Sequence, residues 1–340
     1  MTIKDIAKLS GVSVSTVSRV LNDSGYVKEE TRKKVEEVIS KYNFRPNAIA
    51  RSLIKSETSL IAVIMPGRMN PFMTHILDAI EECADVYGHS VLFYNTNDDA
   101  DRELRAVEQA LEHRVTGILI LPVIGTRALE DLETAEKSGI PVILIDREIP
   151  GASFDSVIMD NRKAVYDAMQ LLFQNGHRSI GIITAPEVVE KGTRLDGYIE
   201  ALKEQNIEIR NDLIYNGDFN EESGYKACEK FLSLENAPTA ILVSYSSGTI
   251  GCIRYMNEHN IKPGRDIGLV GFDDISTLNM LGYQITVVDR PKREMGKLAY
   301  ELLMDRLNGS IDSARCRECL MDAKLHVRGS EFCSFASGQR

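Results

Sequence analysis

Long apolar runs are missing from this sequence of 340 residues. The first residues, MTIKDIAKLSGV, lack the apolar segment of a secretory signal peptide. No later stretch reaches the roughly 18 uninterrupted apolar residues that a membrane-spanning helix needs. We therefore expect a cytoplasmic protein that does not contact a membrane.

Cysteine is also scarce, since only six cysteines are present, at positions 83, 228, 252, 316, 319 and 333. This wide spacing does not make the dense disulfide framework of a small secreted domain, so we expect reduced thiols. Cys316 and Cys319 form a CxxC pair, which leaves redox sensing open as a minor alternative.

The common catalytic signatures are absent as well. The sequence contains no GxGxxG after its first predicted strand, and no GxxxxGK[ST], HExxH or GxSxG. The six histidines show no metal-ligand spacing. We expect no catalytic residues, no metal and no cofactor, although an α/β enzyme stays an alternative because a fold alone does not settle function.

Charge is distributed unevenly along the chain. The net charge is −10, but residues 1–60 carry 11 Lys+Arg against 7 Asp+Glu, and the remainder carries 29 against 43. The beginning of the chain is therefore basic and the rest is acidic. This asymmetry favours contact with DNA through the first 60 residues alone.

The basic segment has the pattern of an all-α headpiece. Thr2 and Asp5 fit a capping box ahead of a short amphipathic helix. Gly11 interrupts that helix, and Ser13 can cap a second one. A third helix is predicted at about residues 29–42, with its apolar side chains on one face. The pattern predicts a helix-turn-helix unit of three helices.

From residue 59 onward, short apolar strands alternate with helical segments. The first series contains LIAVIM, SVLFY, GILIL and PVILI, and a second series follows a connection at about 147–161. The second series contains SIGIIT, LIYNG, AILVS and IGLVGF. This alternation predicts two α/β lobes with doubly wound parallel sheets, and a ligand site between them.

Several motifs resemble the LacI/GalR (lactose/galactose repressor) family. They begin with TIKDIAKLSGVSVSTVSRVLN and YVKEETRKKVEEVISKYNFRPNAIARSL, and continue through DR at 146–147, DN at 160–161, GHRSIGII, RLDGY, GLVGFDD, REMGKLA and HVRGS, so that about residues 2–330 are covered. The resemblance implies a periplasmic-binding-protein-like core, a homodimer or sometimes a tetramer, and operator DNA affinity governed by a small-molecule effector.

On this basis we divide the chain into a headpiece (1–45), a hinge (46–58), a core (59–330) and a tail (331–340). Within the core, the N lobe is expected at about 59–160 plus 290–318, and the C lobe at 161–289 plus 319–330. The main rival assignment is a sugar-binding receptor without DNA binding, which shares the core. The basic headpiece and the missing export signal argue against it.

The second helix of such a headpiece places its first residues at base edges in the major groove. Arg19 can make a bidentate contact to guanine, Val14 can only touch a thymine methyl group, and serine pairs with several bases. The alternatives are a solvated Arg19 and a partly buried Val14. Besides these two, Ser15 and Ser18 are expected at bases, and the expected phosphate contacts are Thr2, Ser13, Thr16, Asn22 and Tyr26.

The hinge segment NAIARSLI follows Pro46 and has little apolar surface to bury, so we expect it to fold only on DNA. The resemblance implies that Leu53 inserts into the minor groove, with Asn47 and Ala50 also at the DNA. The alternative for Leu53 is a purely structural role, in which the linker packs against the core. The family often has a basic residue directly after this leucine, whereas this chain has Ile54, which would weaken phosphate contacts.

Polar and aromatic residues that follow the predicted strands are the effector candidates. We expect Arg194 to donate to hydroxyls or a carboxylate and Asp273 to accept from vicinal hydroxyls, a mixture that favours a sugar or sugar derivative. Where the family usually has Asn-Asp, this chain has Tyr245 and Ser246, so its hydrogen-bonding pattern is altered. Structural ion pairs and, for Phe219, plain core packing are the alternatives. The complete candidate set is Asn70, Phe72, Asp146, Arg147, Arg194, Phe219, Tyr245 and Asp273.

Overall fold

A computed structural model describes residues 1–21, 23–44, 59–67, 71–187, 192–310 and 315–334. The chain divides into two compact units, Met1–Thr58 and Ser59–Arg340. The first unit corresponds to the basic part of the sequence and the second to the acidic part. Each unit has its own apolar core.

The described part of the first unit contains three helices: α1 (Ile3–Ser10), α2 (Val14–Leu21) and α3 (Glu29–Lys41). Thr2 and Asp5 form the capping box at the start of α1. Gly11 ends this helix with a φ of 68°, a left-handed conformation that glycine adopts without steric cost. The Ser13 hydroxyl accepts the backbone N–H of Thr16 at 3.1 Å and so caps α2. Ile6, Val17 and Val35 are fully buried between the three helices.

The second unit contains twelve strands and nine α-helices among its described residues. The strands are β1 (Leu60–Met65), β2 (Ser90–Asn95), β3 (Gly117–Ile120), β4 (Val142–Ile145), β5 (Asp155–Met159), β6 (Ile180–Thr184), β7 (Ile214–Asn216), β8 (Ala240–Val243), β9 (Gly268–Phe272), β10 (Thr286–Asp289), β11 (Glu318–Met321) and β12 (Lys324–His326). The helices are α4 (Pro71–Tyr87), α5 (Ala100–Glu112), α6 (Leu129–Lys137), α7 (Asn161–Gln174), α8 (Arg194–Glu204), α9 (Glu221–Leu232), α10 (Ser246–Glu258), α11 (Ser276–Met280) and α12 (Lys292–Leu307).

These elements make two lobes with an equivalent strand order. The N-lobe sheet has the order β2-β1-β3-β4-β5-β11, and the C-lobe sheet has the order β7-β6-β8-β9-β10-β12. All pairings are parallel except the antiparallel pair of β10 and β12. Apolar clusters cover both faces of each sheet. The two doubly wound parallel sheets predicted from the sequence are confirmed.

Four strands were not predicted from the sequence: β10, β11, β12 and β5, and of these β5 lies in the segment predicted as a connection at about 147–161. This strand begins with Asp155 and Ser156, two polar residues that hide its apolar pattern. Asp155 is only 1% exposed because its carboxylate accepts hydrogen bonds from Arg306 of α12 and from the backbone N–H of Arg317. The ion pair with Arg306, which lies 151 residues further along the chain, offsets the cost of burying Asp155.

The end of the core also differs from the prediction. Residues 319–321, expected in the C lobe, belong to β11 and pair with β5 in the N-lobe sheet. Residues 331–334, expected in a loose tail, lie against the C lobe. Glu331 is 1% exposed because its carboxylate accepts from the Thr286 hydroxyl and the Gly329 N–H, and the buried Cys333 thiol donates to the Asp266 carbonyl. The last crossing between the lobes therefore lies between β11 and β12.

Candidate functional site

The first turn of α2 forms an exposed surface on the headpiece. Val14 is 41% exposed, so it is not a core residue. Ser15 and Arg19 are also exposed, whereas Thr16 and Ser18 are half-buried. The Ser13 hydroxyl lies 2.8 Å from both the Ser15 and the Thr16 hydroxyl oxygens. The base-reading candidates Val14 and Ser15 thus lie beside the phosphate-binding candidates Ser13 and Thr16 at the start of α2, whereas Arg19 lies in its last turn.

Two further headpiece candidates lie at the surface. Thr2 is exposed at the start of α1, and Tyr26 is 85% exposed in the connection that precedes α3. Asn22 and the hinge candidates Asn47, Ala50 and Leu53 lie outside the described residues, as does the effector candidate Asn70.

A cavity of about 870 Å³ lies between the two lobes of the second unit. It opens at the carboxyl ends of the strands in both sheets, where doubly wound folds bind ligands. Six of the effector candidates are among its lining residues: Phe72, Asp146, Arg147, Arg194, Phe219 and Tyr245. The N lobe contributes the first three, and the C lobe contributes the others.

Two of the arginines are already paired with carboxylates. Arg194 is 5% exposed and lies 2.7 Å from Glu187, whose other carboxylate oxygen accepts the Arg194 backbone N–H at 2.7 Å. Arg147 donates to Asp98 at 2.8 Å, and its guanidinium carbon lies 5.7 Å from the ring centre of Phe219. Arg147 therefore reaches from the N lobe to an aromatic side chain of the C lobe.

Asp273 does not line the cavity, contrary to the expectation that it accepts ligand hydroxyls. Both of its carboxylate oxygens accept from Arg290, from Nε and from one terminal nitrogen, each at 2.8 Å. Burial opposes the Asp273 charge, but the Arg290 guanidinium outweighs it and holds the pKa of Asp273 below its usual value. The partner in this pair that lines the cavity is Arg290, which was not among the predicted effector residues.

Three polar atoms in this region have no hydrogen-bond partner among the described residues: Asn161 Oδ1, Arg194 Nε and the Tyr245 hydroxyl. Asn161 and Tyr245 are 8% and 4% exposed. Burial raises the pKa of Tyr245, so this phenol stays neutral and able to donate. Buried polar atoms without partners cost about 1–3 kcal/mol each, a cost that a bound polar ligand can offset.

A buried carboxylate holds the N-lobe loop that forms part of the cavity wall. Glu103, which is fully buried on α5, accepts from the Val123 N–H at 2.6 Å and from the Thr126 hydroxyl. Burial raises the pKa of Glu103, and these hydrogen bonds oppose the shift. The loop is thereby fixed against the lobe instead of moving freely over the cavity.

Four further lining residues were not predicted from the sequence: Asp98, Asn161, Glu187 and Arg290. Asn161 was the most accessible of these, because it belongs to the quoted family motif Asp-Asn at 160–161. No local sequence pattern marks the other three as lining residues, because each takes its place through a partner that only folding brings near.

The described residues contain no cluster of three or more His, Cys, Asp or Glu side chains that could hold a metal ion. None of the helices that the structure describes is long and apolar enough to span a bilayer.

Comparisons with known proteins assign the two units separately. Residues 2–47 match the model of bacterial regulatory proteins of the lacI family, and residues 58–325 match that of periplasmic binding proteins and the sugar-binding domain of the LacI family. The chain is 33% identical to catabolite control protein A of Priestia megaterium, over 92% of this chain and 95% of that protein. It is 31% identical to the HTH-type transcriptional repressor PurR of Aliivibrio salmonicida, over 90% and 92%.

Among solved structures, the fold is similar to that of the Lac repressor dimer bound to operator and the anti-inducer ONPF. The TM-score is 0.85 at 26% identity, and the match covers 98% of this chain and 99% of that one.

Proposed function

The chain belongs to the LacI family of bacterial regulatory proteins and is a transcriptional repressor with a DNA-binding domain and an effector-binding domain. We propose that it binds a palindromic operator as a homodimer, and that a neutral sugar or sugar derivative in the inter-lobe cavity controls this binding. The observation that carries this proposal is the presence, on one chain, of an exposed α2 surface and a cavity lined by two lobes.

Arg19 is the residue that discriminates between operator sequences. This residue is exposed on α2, less than two helical turns from Val14 and Ser15. Its guanidinium can donate bidentate hydrogen bonds to guanine O6 and N7. The Ser13 and Thr16 hydroxyls, together with Thr2 and Tyr26, hold phosphates and fix the register of the headpiece.

The Arg19→Ala variant should lose about 1–3 kcal/mol at one operator base pair and accept other bases there. Fluorescence anisotropy with a set of single-base operator variants measures this change. An equal loss on every sequence would make Arg19 a phosphate contact instead.

The effector is a hydroxylated, uncharged molecule. A hydroxyl both donates and accepts, so it can satisfy the acceptor Asn161 Oδ1 and the donor Arg194 Nε. Arg147, Arg194 and Arg290 are each within 3.1 Å of a carboxylate, so these cations do not call for an anionic ligand. The rings of Phe72, Phe219 and Tyr245 supply apolar faces for a sugar ring.

Membership of the family and exposed apolar side chains on both lobes support the proposed homodimer. Val86 and Tyr87 at the end of α4 are 82% and 59% exposed, and Met280 and Leu281 at the end of α11 are 82% and 69% exposed. A second copy that covers such side chains on both lobes senses their relative movement. The effector then shifts operator affinity by as much as its affinities for the two lobe arrangements differ.

Two measurements test this proposal. Selection from random duplexes should enrich a palindrome, and a thermal-shift screen of neutral sugars should find a ligand that raises the melting temperature in proportion to ln(1 + [L]/Kd). No preference for any duplex, with a sugar still bound, would favour the receptor without DNA binding. Turnover of a sugar by the purified protein would favour an enzyme.

A further inference from the structure

Arg290 joins the two lobes at the back of the cavity. It follows β10 of the C lobe and precedes α12, which packs in the N lobe, so it lies in one of the segments that cross between lobes. Its side chain is 6% exposed. Its two carboxylate partners, Asp146 and Asp273, belong to different lobes.

The two aspartates that Arg290 binds occupy equivalent positions in the two lobes. Asp146 directly follows β4, and Asp273 directly follows β9, the fourth strand of each sheet in the shared order. Both have left-handed backbones, with φ of 62° and 60°. The N–H of each donates at 2.8 Å to the adjacent fifth strand, to the carbonyl of Val157 or Val288. One guanidinium thus lies between two symmetry-like carboxylates.

The two arms of this bridge are unequal. Asp273 of the C lobe accepts two hydrogen bonds of 2.8 Å, whereas Asp146 of the N lobe accepts from one terminal nitrogen at 3.1 Å, with its second oxygen at 3.4 Å. The N lobe adds an apolar contact, since the guanidinium carbon lies 3.3 Å from the ring centre of Phe72. The hydrogen bonds of Arg290 to the C lobe are therefore the stronger ones, and those to the N lobe are the ones that break more easily.

We propose that Arg290 is a positioning residue that sets the spacing of the two lobes, through its hydrogen bonds to Asp146 on one side and Asp273 on the other. The lobes then pivot about Arg290, and the gap in the cavity wall where Arg147 of the N lobe faces Phe219 of the C lobe at 5.7 Å opens and closes. The bridge itself does not depend on DNA or effector binding. Only its regulatory consequence rests on the proposed function, because lobe movement would reach the operator through the dimer.

The test is hydrogen exchange, followed by mass spectrometry, on the ligand-free full-length protein. The Asp146→Asn variant removes the charge of the weaker arm, leaves the Arg290–Asp273 pair in place and tolerates the left-handed backbone. We expect exchange to rise about five- to tenfold in the C-lobe peptide that contains Asp273, although the substitution lies in the other lobe. The N-lobe peptide that contains Phe72 should also exchange faster.

Glu187→Gln is the matched control. Glu187 and Arg194 form an equally buried pair in the wall of the same cavity, with 8% and 6% side-chain exposure, but both belong to the C lobe. This variant should raise exchange around Arg194 and leave the N-lobe peptides at their wild-type rates. Faster exchange in both lobes with this control as well would overturn a specific role for Arg290.

A second variant, Arg290→Lys, keeps the cation but cannot fork to both aspartates. Combined with Asp146→Asn, it should give the same exchange as Arg290→Lys alone, since both changes break one bridge. Additive increases would overturn the proposal, as would an Asp146→Asn effect confined to residues 145–148. Circular dichroism identifies a variant that fails to fold. In that case Asp146→Asn and its control decide, independently of sugar or operator binding.

Discussion

The buried ion pair between Asp155 and Arg306 gives the sharpest stability prediction for this protein. The Asp155 carboxylate accepts from Arg306 Nε at 2.7 Å, from the Arg306 terminal nitrogen at 2.6 Å and from the Arg317 N–H at 2.7 Å. One carboxylate thus connects β5 to α12 and to the segment that leads into β11. Asp155→Asn should therefore loosen the N-lobe edge where the last crossing begins.

The expected loss of unfolding free energy is about 3 kcal/mol, the lower end for breaking a buried ion pair, because asparagine keeps one acceptor oxygen. Asp155 is 1% exposed and Arg306 is 12% exposed at their side chains, so solvent screens this pair little. For a folding unit of this size, the melting temperature should fall by about 6–12 °C. Guanidinium denaturation and scanning calorimetry measure the two quantities.

Asp167→Asn is the control for this experiment, because Asp167 pairs with Lys163 on the surface of α7 with 42% and 50% exposure. That change should cost less than about 0.5 kcal/mol. If Asp155→Asn costs no more than the control, the pair does not hold β5, α12 and β11 together. The combination of Asp155→Asn with Arg306→Met should cost less than the sum of the two single changes, because they remove one interaction.

Three further predictions concern pH, helix packing and the hinge. Burial lowers the pKa of His177, so the unfolded chain binds a proton more readily, and the free energy of unfolding should fall as pH drops below about 6.5; His177→Gln should flatten this slope in urea titrations. Gly251→Ala places a Cβ 2.0 Å from the Glu221 carbonyl oxygen, which forces α9 and α10 apart, and should cost about 1–3 kcal/mol in denaturant unfolding. Leu53→Ala should abolish specific operator binding and spare sugar binding, so an unchanged operator affinity in gel-shift titrations would remove Leu53 from the mechanism.

Much of the architecture could be predicted from local sequence patterns. Capping residues such as Thr2 and Ser13, the glycine turn at Gly11 and helical spacing of apolar residues act over a few residues, so they are visible without any partner. The strand-helix alternation in residues 59–272 is local in the same way, and it fixes a parallel sheet because each crossover helix returns the chain in one direction. Strand β5 is the exception. It was not predicted because its buried Asp155 depends on Arg306, a partner far away along the chain that no local pattern reveals.

For the effector candidates, too, the position of each residue could be predicted from the sequence, whereas its partner could not. The sequence placed charged and aromatic residues at the ends of strands, and the strand order alone brings Asp146, Arg147 and Arg194 to one cavity. Only the tertiary structure decided what each charge is paired with, because an ion pair depends on residues from separate elements. It assigned Glu187 to Arg194 and both Asp146 and Asp273 to Arg290. The sequence alone therefore determined the kind of protein, and folding decided which of its polar groups are left for a ligand.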